Sequence, residues 1–458
     1  MSQLSITDPD ELSDWLASRN KSCDMRVKRT SLQESGEWLL DNNKISRRDH
    51  FFFSVVGTEV RKCGIHLPHL DQPLIHQPEI GILGFLLFRG HAGREILVQC
   101  KPEPGNIPLC QLAPTVQATV SNYTRKHNGK ATAYLEYFTG QNKGKIFSGT
   151  LQSEQGTRFL GKYNRNLAIE VPSGDKPGEN ENTKWVPIES FTQLLKNDFT
   201  INTDARSVIS CAPWHLFSQN GRPFDRLKET DDSAMLFRES YLATENQSEV
   251  TLDALLSQLK ESRIKPQLQV SIQSLHDLTD WVIDPYGVVP RENNSLSFGH
   301  YSIETTERET ERWDQPFACS AQTGLVVLLC QIRKGILHFL FQCRTEIGFT
   351  QGCQYCPTIQ EYSDTNENMS DIDAVQSELK QHFKSGKVLL SCLHSDEGGR
   401  FYQCVTKYQI CKIDQDDYLE PDKTLAWMTL NQIESLLARN GIFSNESRTL
   451  VSMLLAYV

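Results

Sequence analysis

The sequence of 458 residues carries a formal net charge of −10, from 47 Lys and Arg against 57 Asp and Glu, and is 38% hydrophobic and 23% charged. That is an ordinary folded composition on a chain too long for one core, where length alone suggests about three domains and permits two large ones. It excludes a global positive field for nucleic acid or an anionic membrane, so an anionic ligand must be met by a few local Arg, Lys or backbone N–H groups.

In chain order, the opening "MSQLSITDPDEL" lacks the basic and apolar regions of a signal peptide, and the longest apolar run, "IGILGFLLF", is too short to span a bilayer. A cytoplasmic protein is expected. Residues 7–19 predict a helix with Thr7 or Asp8 as N-cap, Pro9 in the first turn and Leu12, Trp15 and Leu16 on one face. "HFFFSVVGTEV" and "ILVQCKPE" predict strands, being β-branched and aromatic, and "GILGFLLFRG" predicts a buried one. "PSGDKPGENENT" (172–183) is a surface loop by composition. "IESFTQLLKND" and, much later, "LNQIESLLARNG" have apolar residues at helical spacing. Residues 213–248 are polar and read as a connector, followed by the amphipathic "VTLDALLSQLKESR", and the acidic "DTNENMSDID" (364–373) reads as a loop.

The chain says much of this twice. "QCKPEPGNIPLCQLAPTVQAT" from Gln99 and "QCRTEIGFTQGCQYCPTIQEY" from Gln342 agree at nine of twenty-one positions without a gap, including Glu103/Glu346, Gly105/Gly348 and Gln117/Gln360, at a spacing of 243 residues. "DQP" at Asp71 and Asp314 keeps that spacing. "SEQGTRF" and "SDEGGRF", Trp185/Trp427 and Arg206/Arg448 are spaced by 242. Matching "ELSDW" at Trp15 with "DLTDW" at Trp281 gives 266, which implies a 23-residue insertion in the first copy. A fixed-period self-match is the mark of duplication, and the expected division is a first repeat over 1–212, a connector with a helix over 213–270, and a second repeat over 271–458.

Thirteen cysteines, an odd number without secretory features, fit reduced thiols. Cys353 and Cys356 form a C-x-x-C, but zinc needs a second ligand pair and only single residues such as Cys392 and His394 are on offer, so small core hydrophobes are the expectation. Polar side chains concentrate in the first copy: Lys101, Glu103, Asn106, Gln117, Asn122, Tyr123, Arg125, His127, Glu154, Arg158, Lys162 and Arg165. Many donors with a few carboxylates suit a polyhydroxylated anionic ligand such as a nucleotide-linked sugar. Each of these residues also has the plainer reading of turn chemistry or surface charge.

"HQPEIGILGF", "QCKPEPGN", "QLAPTVQAT", "SNYTRKHNG", "QSEQGTRF", "KYNRN", "SDEGGRF" and "WMTLNQIESLLARNG" closely resemble the NDP-hexose 2,3-dehydratases, from about residue 12 to residue 455 and with the duplication included. The resemblance implies an α/β (α+β) fold in which each half is a Nudix-like α/β/α sandwich around a mixed sheet, a homodimer, and action on dTDP-4-keto-6-deoxyglucose. Two departures stand out: Leu70 occupies the first copy's position for the Trp seen at Trp313, and "EPG" has become Glu346-Ile347-Gly348 in the second. The first copy is therefore the expected working site.

The implied chemistry needs no redox cofactor, and no G-x-G-x-x-G opens a helix. No Nudix box of spaced glutamates is found in either half, so no metal is expected. Glu103 or His127 is the expected base, Tyr123 assists the leaving hydroxyl, and Lys101 with Asn122 faces the ketone oxygen. Arg158, Arg125 and Gln117 are expected on the diphosphate and nucleoside. The other expected substrate contacts are Gln77, Asn106, Thr115 and Glu154 in the first copy and Trp313, Glu346, Thr358, Gln360 and Arg400 in the second. The competing readings are a metal-dependent Nudix-type hydrolase of nucleotide sugars and a non-catalytic nucleotide-sugar-binding protein.

Overall fold

A computed structural model describes residues 6–458 apart from 42, 92, 127–129, 142–143, 219, 226–231, 265–267, 293–295, 363–369, 418 and 420–421. Strand Gly81–Arg89 is the near-continuous apolar run that a doubly covered strand requires. It sits inside a mixed sheet, parallel to Tyr163–Glu170 and antiparallel to Arg94–Pro102. Lys145–Ser153 and Thr183–Pro187 flank these three, and the short Cys110–Ala113 and Val116–Ala118 pair with Arg94–Pro102 and Gly81–Arg89. The second copy repeats the pattern with Gly324–Arg333 parallel to Val405–Lys412 and antiparallel to Ile336–Arg344.

The two large sheets close over one core. Leu83, Phe85 and Leu87 of one belong to the same buried cluster as Val326, Leu328 and Cys330 of the other. Helices Thr203–Cys211 and Asn445–Leu454 pack together inside it. Each carries a fully buried arginine that donates to main-chain and hydroxyl oxygens. Arg206 Nη1 reaches Leu195 O (2.9 Å) and Ser452 Oγ (3.1 Å), while Arg448 donates to Ser207 Oγ (2.8 Å) and Phe443 O (2.7 Å). Each helix thus holds the other across the join.

Two small sheets lie beside the large ones, and here the copies exchange strands. Arg26–Arg29, from the first copy, pairs antiparallel with Ser297–Glu304 of the second. Gln269–Gln273, 243 residues on, pairs in the equivalent register with Ser54–Lys62 of the first. The two small sheets also share a core, in which Trp38, Val55 and Phe159 meet Trp281, Phe298 and Phe401.

The spacing of 243 already holds at the first helix and runs through the Glu turns, so the expected 23-residue insertion is not there. Helix Pro9–Ser22, N-capped by Asp8, answers to helix Leu252–Ile264. Leu12 and Leu16 of the one and Leu255 and Leu259 of the other fill the core. Asn20 bonds the main chain of Cys110 as Arg263 bonds that of Cys353. Trp38, not Trp15, is the counterpart of Trp281: each opens a strand and donates its indole N–H to a main-chain oxygen. The likeness of Trp15 to Trp281 is local, and the helix expected in the connector is the opening element of the second copy.

Helix Ser370–Ser385 covers part of the stretch expected as an acidic loop. Cys353 and Cys356 are buried with the core, as small hydrophobes, and every cysteine is free. No described helix is long and apolar enough to cross a membrane.

Candidate functional site

Strand Arg94–Pro102 ends in a tight turn that carries Glu103, closed by Asn106 N–H to Glu103 O (3.1 Å) and Glu103 N–H to Leu109 O (3.0 Å). Gly105 two residues on has no room for a side chain: a Cβ there would lie 1.5 Å from Phe401 O. The absence of one lets the turn dock onto the "SDEGGRF" loop of the other half. Gly105 N–H donates to Gly398 O (2.9 Å) and Gln403 N–H to Gly105 O (2.8 Å). The mirror contact is made by Gly348, whose N–H donates to Gly156 O (2.7 Å) and whose carbonyl accepts from Gly161 N–H (2.9 Å). Each Glu turn therefore faces the partner copy's loop, and each polar cluster is built from both halves.

In the first cluster Lys101, Glu103 and Gln117 interlock. Lys101 Nζ lies 3.4 Å from Glu103 Oε1 and donates to Gln117 O (3.2 Å). Gln117 Nε2 donates to the same Oε1 (3.0 Å), and Asn202 Nδ2 steadies Gln117 from behind (3.0 Å). Glu103 Oε2 is buried without a hydrogen-bond partner. From the second half comes Arg400, buried, which donates Nε to Gln77 Oε1 (3.2 Å) and Nη1 to Gly399 O (2.7 Å) and lies 4.3 Å from the centre of the Phe53 ring. Burial draws the Arg400 pKa down, opposed by the nearby Glu397, Glu103 and Glu79 carboxyls.

A cavity of about 140 Å³ opens beside this cluster. Its wall is mixed: the aromatic Trp38, Phe52, Phe53 and Trp313, the cationic Arg47, Arg308 and Arg400, the acidic Glu37, Glu309 and Asp314, and Pro104, Asn122, Thr310, Gln315 and Gly399. Trp313 Nε1 donates to Gln315 Oε1 (3.1 Å), whose Nε2 donates to Gly399 O (2.8 Å), so the indole is fixed to the same loop as Arg400. Arg308 donates to Pro102 O (2.8 Å) and pairs with Glu309 at 3.3 Å. Burial works against ionising Glu309, but Arg308 and Lys101 outweigh it and hold that carboxyl down at about 2. Aromatic faces with clustered guanidinium groups are the recognition chemistry of a ring joined to phosphates.

The second cluster repeats the arrangement, and Glu346 Oε2 is likewise buried without a hydrogen-bond partner. Arg344 stands at the place of Lys101 and bonds both Glu346 Oε1 (2.8 Å) and the Gln360 side chain, which donates back to Glu346 (3.0 Å). Glu446 is pushed up to about 7 by burial first and by the Glu346 charge, against Arg344, and accepts from Tyr362 OH (3.2 Å). Tyr362 and Phe349 stand where the first copy has Thr119 and Asn106. The cationic and aromatic wall is missing as well, since Arg47, Phe53 and Trp313 have Pro290, Leu296 and Leu70 as counterparts. The Leu70 departure belongs to this second cluster, and Trp313 serves the first.

The expected site residues thus divide. Lys101, Glu103, Gln77, Asn106, Gln117 and Arg400 meet in the first cluster, with Asn122 and Trp313 in the cavity wall. Glu346 and Gln360 meet in the second, and Arg158, expected on the diphosphate beside Gln117, lies there over the Tyr362 ring at 4.8 Å, because the loop that carries it crosses to the other half. Thr115 and Thr358 are stitched into the sheets, each hydroxyl taking an N–H from one strand and donating to a carbonyl of the next. Glu154 is buried between Asn164 (2.7 Å) and Asn445 (2.8 Å). Tyr123 is half-buried and Arg125 exposed, and neither lines the cavity. His127 lies outside the described residues. Sequence reasoning passed over Trp38, Phe53, Arg47, Arg308 and Glu397, and the run "TTERETER" around Arg308 has the look of a solvated charge run. Among the described residues no group of three or more His, Cys, Asp or Glu is placed to hold a metal ion.

A family model for NDP-hexose 2,3-dehydratase matches residues 9–212 and 252–454, with the two starts 243 residues apart as in the fold. Among curated proteins the chain is similar to three called dTDP-4-dehydro-6-deoxy-alpha-D-glucopyranose 2,3-dehydratase. The one from Saccharopolyspora spinosa is 29% identical over 96% of this chain and 90% of its own. Those from Amycolatopsis orientalis and Streptomyces violaceoruber are each 30% identical, over 96% and 98% of this chain and 88% and 97% of their own. Among solved structures, an Ap4A hydrolase of C. elegans matches 25% of this chain and 86% of its own at 14% identity and a TM-score of 0.17. An ADP compounds hydrolase matches 33% and 80% at 10% identity and 0.19, and likenesses of that size carry no fold assignment.

Proposed function

The chain belongs to the NDP-hexose 2,3-dehydratase family, and from that premise we propose that it removes the carbon 2 hydroxyl of dTDP-4-keto-6-deoxyglucose to give the 3,4-diketo-2,6-dideoxy sugar nucleotide. The ketone at carbon 4 acidifies the hydrogen on carbon 3. A base removes that hydrogen, negative charge moves onto the ketone oxygen, and the carbon 2 oxygen leaves. The enol that results tautomerises to the diketo sugar.

Glu103 is the base. The observation that carries this is a held carboxylate at the edge of a cavity: Oε1 is fixed by Gln117 and Lys101, Oε2 is buried with no partner, and Pro104, the next residue, lines the cavity together with Arg400. A fixed carboxylate with one free oxygen is oriented for proton transfer without the freedom to swing away. Asn122, with Arg47, Arg308 and Arg400, supplies donors for the ketone oxygen and the diphosphate, and Trp38, Phe53 and Trp313 supply ring faces for sugar and base. Glu346 is held in the same way and its Oε2 is likewise buried without a partner, so the support for placing the chemistry at the first cluster is the cavity wall of Arg47, Phe53 and Trp313, whose counterparts Pro290, Leu296 and Leu70 carry neither charge nor aromatic ring.

We also read the chain as two repeats joined by a connector, as cytoplasmic, and as a homodimer; the connector is not the polar stretch its composition suggested, since Trp214, Phe217, Phe224 and Phe237 lie in the shared core. The matched spans 9–212 and 252–454 support the first, the free cysteines suit the second, and the family resemblance suggests the third. Sedimentation would decide the assembly.

The test of function is incubation with dTDP-4-keto-6-deoxyglucose in heavy water, followed by NMR. Loss of the carbon 2 hydroxyl with deuterium gained at carbon 2 is expected. An unchanged sugar would leave a binding protein in place of a dehydratase.

A further inference from the structure

One carboxyl of the first cluster has no counterpart in the second. Glu397, on the "SDEGGRF" loop of the second half, stands where the first half has Gln155. It is only partly buried. The point from which a side chain at Gly399 would spring lies 3.5 Å from Glu397 Oε1 and 3.5 Å from Glu103 Oε1, and Gly399 lines the cavity. The two carboxyls therefore flank one spot on the wall, within twice that distance of each other, and the missing side chain leaves the spot open. The equivalent position in the other loop is Thr157.

We propose that Glu397 is the acid that protonates the departing carbon 2 oxygen while Glu103 removes the carbon 3 hydrogen, so that each half of the chain gives one of the two proton-transfer groups of a single site. The assignment rests on the dehydratase reading above. The electrons balance without any other reactant. As the carbon 3–hydrogen bond breaks, its proton goes to Glu103 and its electron pair into the enolate. The enolate then expels the carbon 2–oxygen bond, and the leaving oxygen takes the Glu397 proton to become water. In the tautomerisation Glu103 returns its proton to carbon 2 and Glu397 takes back the proton of the carbon 3 hydroxyl, which restores both groups.

The surroundings agree. The Glu397 carboxyl is pushed up to about 7, by burial first and by the Glu154 and Glu103 charges, against Arg400 and Lys162, so it still holds a proton near neutrality. The other charged group facing it is Asp204, itself pushed well up by burial and by Glu397. A carboxyl that holds its proton near neutrality is suited to the acid's part of a carboxyl pair.

The test compares the full-length wild type, Glu397→Gln and Glu103→Gln with dTDP-4-keto-6-deoxyglucose in heavy water, following by NMR both elimination and deuterium entry at carbon 3 of unreacted substrate. Glu397→Gln is expected to lose elimination by about 100-fold or more while keeping carbon 3 exchange within about tenfold. Glu103→Gln loses both. Wild-type elimination should fall as pH rises through about 7, a limb that Glu397→Gln lacks. Elimination by Glu397→Gln at the wild-type rate, or equal loss of exchange and elimination, overturns the assignment. If the Gln variant does not fold, Glu397→Asp takes its place: a displaced alkaline limb supports the assignment and an unmoved one overturns it. A wild type that neither exchanges nor eliminates removes the dehydratase reading itself, and this assignment with it.

Discussion

Replacing Gly105 by Ala tests how tightly the two halves are locked at the site. The added methyl would lie 1.5 Å from Phe401 O, 2.6 Å from its carbonyl carbon and 2.9 Å from Gly398 O. All three are main-chain atoms, so no rotamer change relieves them and the turn must withdraw from the loop. Overpacking of that kind costs about 1–3 kcal/mol. Withdrawal also breaks Gly105 N–H to Gly398 O and Gln403 N–H to Gly105 O, each worth about 1 kcal/mol. The expected loss is about 3–5 kcal/mol, a large share of a typical folding free energy of roughly 5–15 kcal/mol. It is read from urea unfolding followed by circular dichroism. Because Glu103 stands on the same turn and Arg400 on the facing loop, turnover should fall even at temperatures where the variant is folded. A Gly105→Ala protein within about 1 kcal/mol of wild type would refute the interlock.

Glu103→Gln should slow product formation by about 100-fold or more, and Glu346→Gln by less than about tenfold, in the same NMR assay; equal losses would defeat the choice of one working site. Arg448→Met removes the buried donors that reach Phe443 O, Ser153 O and Ser207 Oγ and should cost about 3–5 kcal/mol by thermal unfolding; a cost under about 1 kcal/mol would show that the arginine is dispensable. Glu446 has its folded pKa raised to about 7 from 4.5, so the folded state holds the extra proton between those values. Its stabilising contribution is whole below about 4.5 and lost as pH rises through about 7, of order 3 kcal/mol, and Glu446→Gln should flatten that fall in a pH series of denaturation midpoints.

Repetition made the fold legible, because residues under the same packing constraint kept their identity: Trp185 with Trp427, Arg206 with Arg448, Thr115 with Thr358. Glu103 and Gln117 were legible for the same reason, being polar residues held in a repeated turn and strand. What escaped notice is what joins positions far apart in the chain. Arg400 stands some 300 residues from Glu103, and the strands Arg26–Arg29 and Gln269–Gln273 pair with partners in the other copy. No local pattern announces a partner at that distance. The false match of Trp15 with Trp281 came from the same blindness, since five similar letters outweighed a tryptophan whose strand and indole bond are the true equivalents.

Duplicated genes ordinarily free one copy to decay, yet the swapped strands and glycine hooks withhold that freedom here. Were the connector cut and one segment discarded, the survivor would keep a ragged sheet border, a Glu turn with nothing to grip, and half a wall around its sugar. A copy relieved of chemistry must still keep its shape on its sibling's behalf, and a lesion in either is inherited by both.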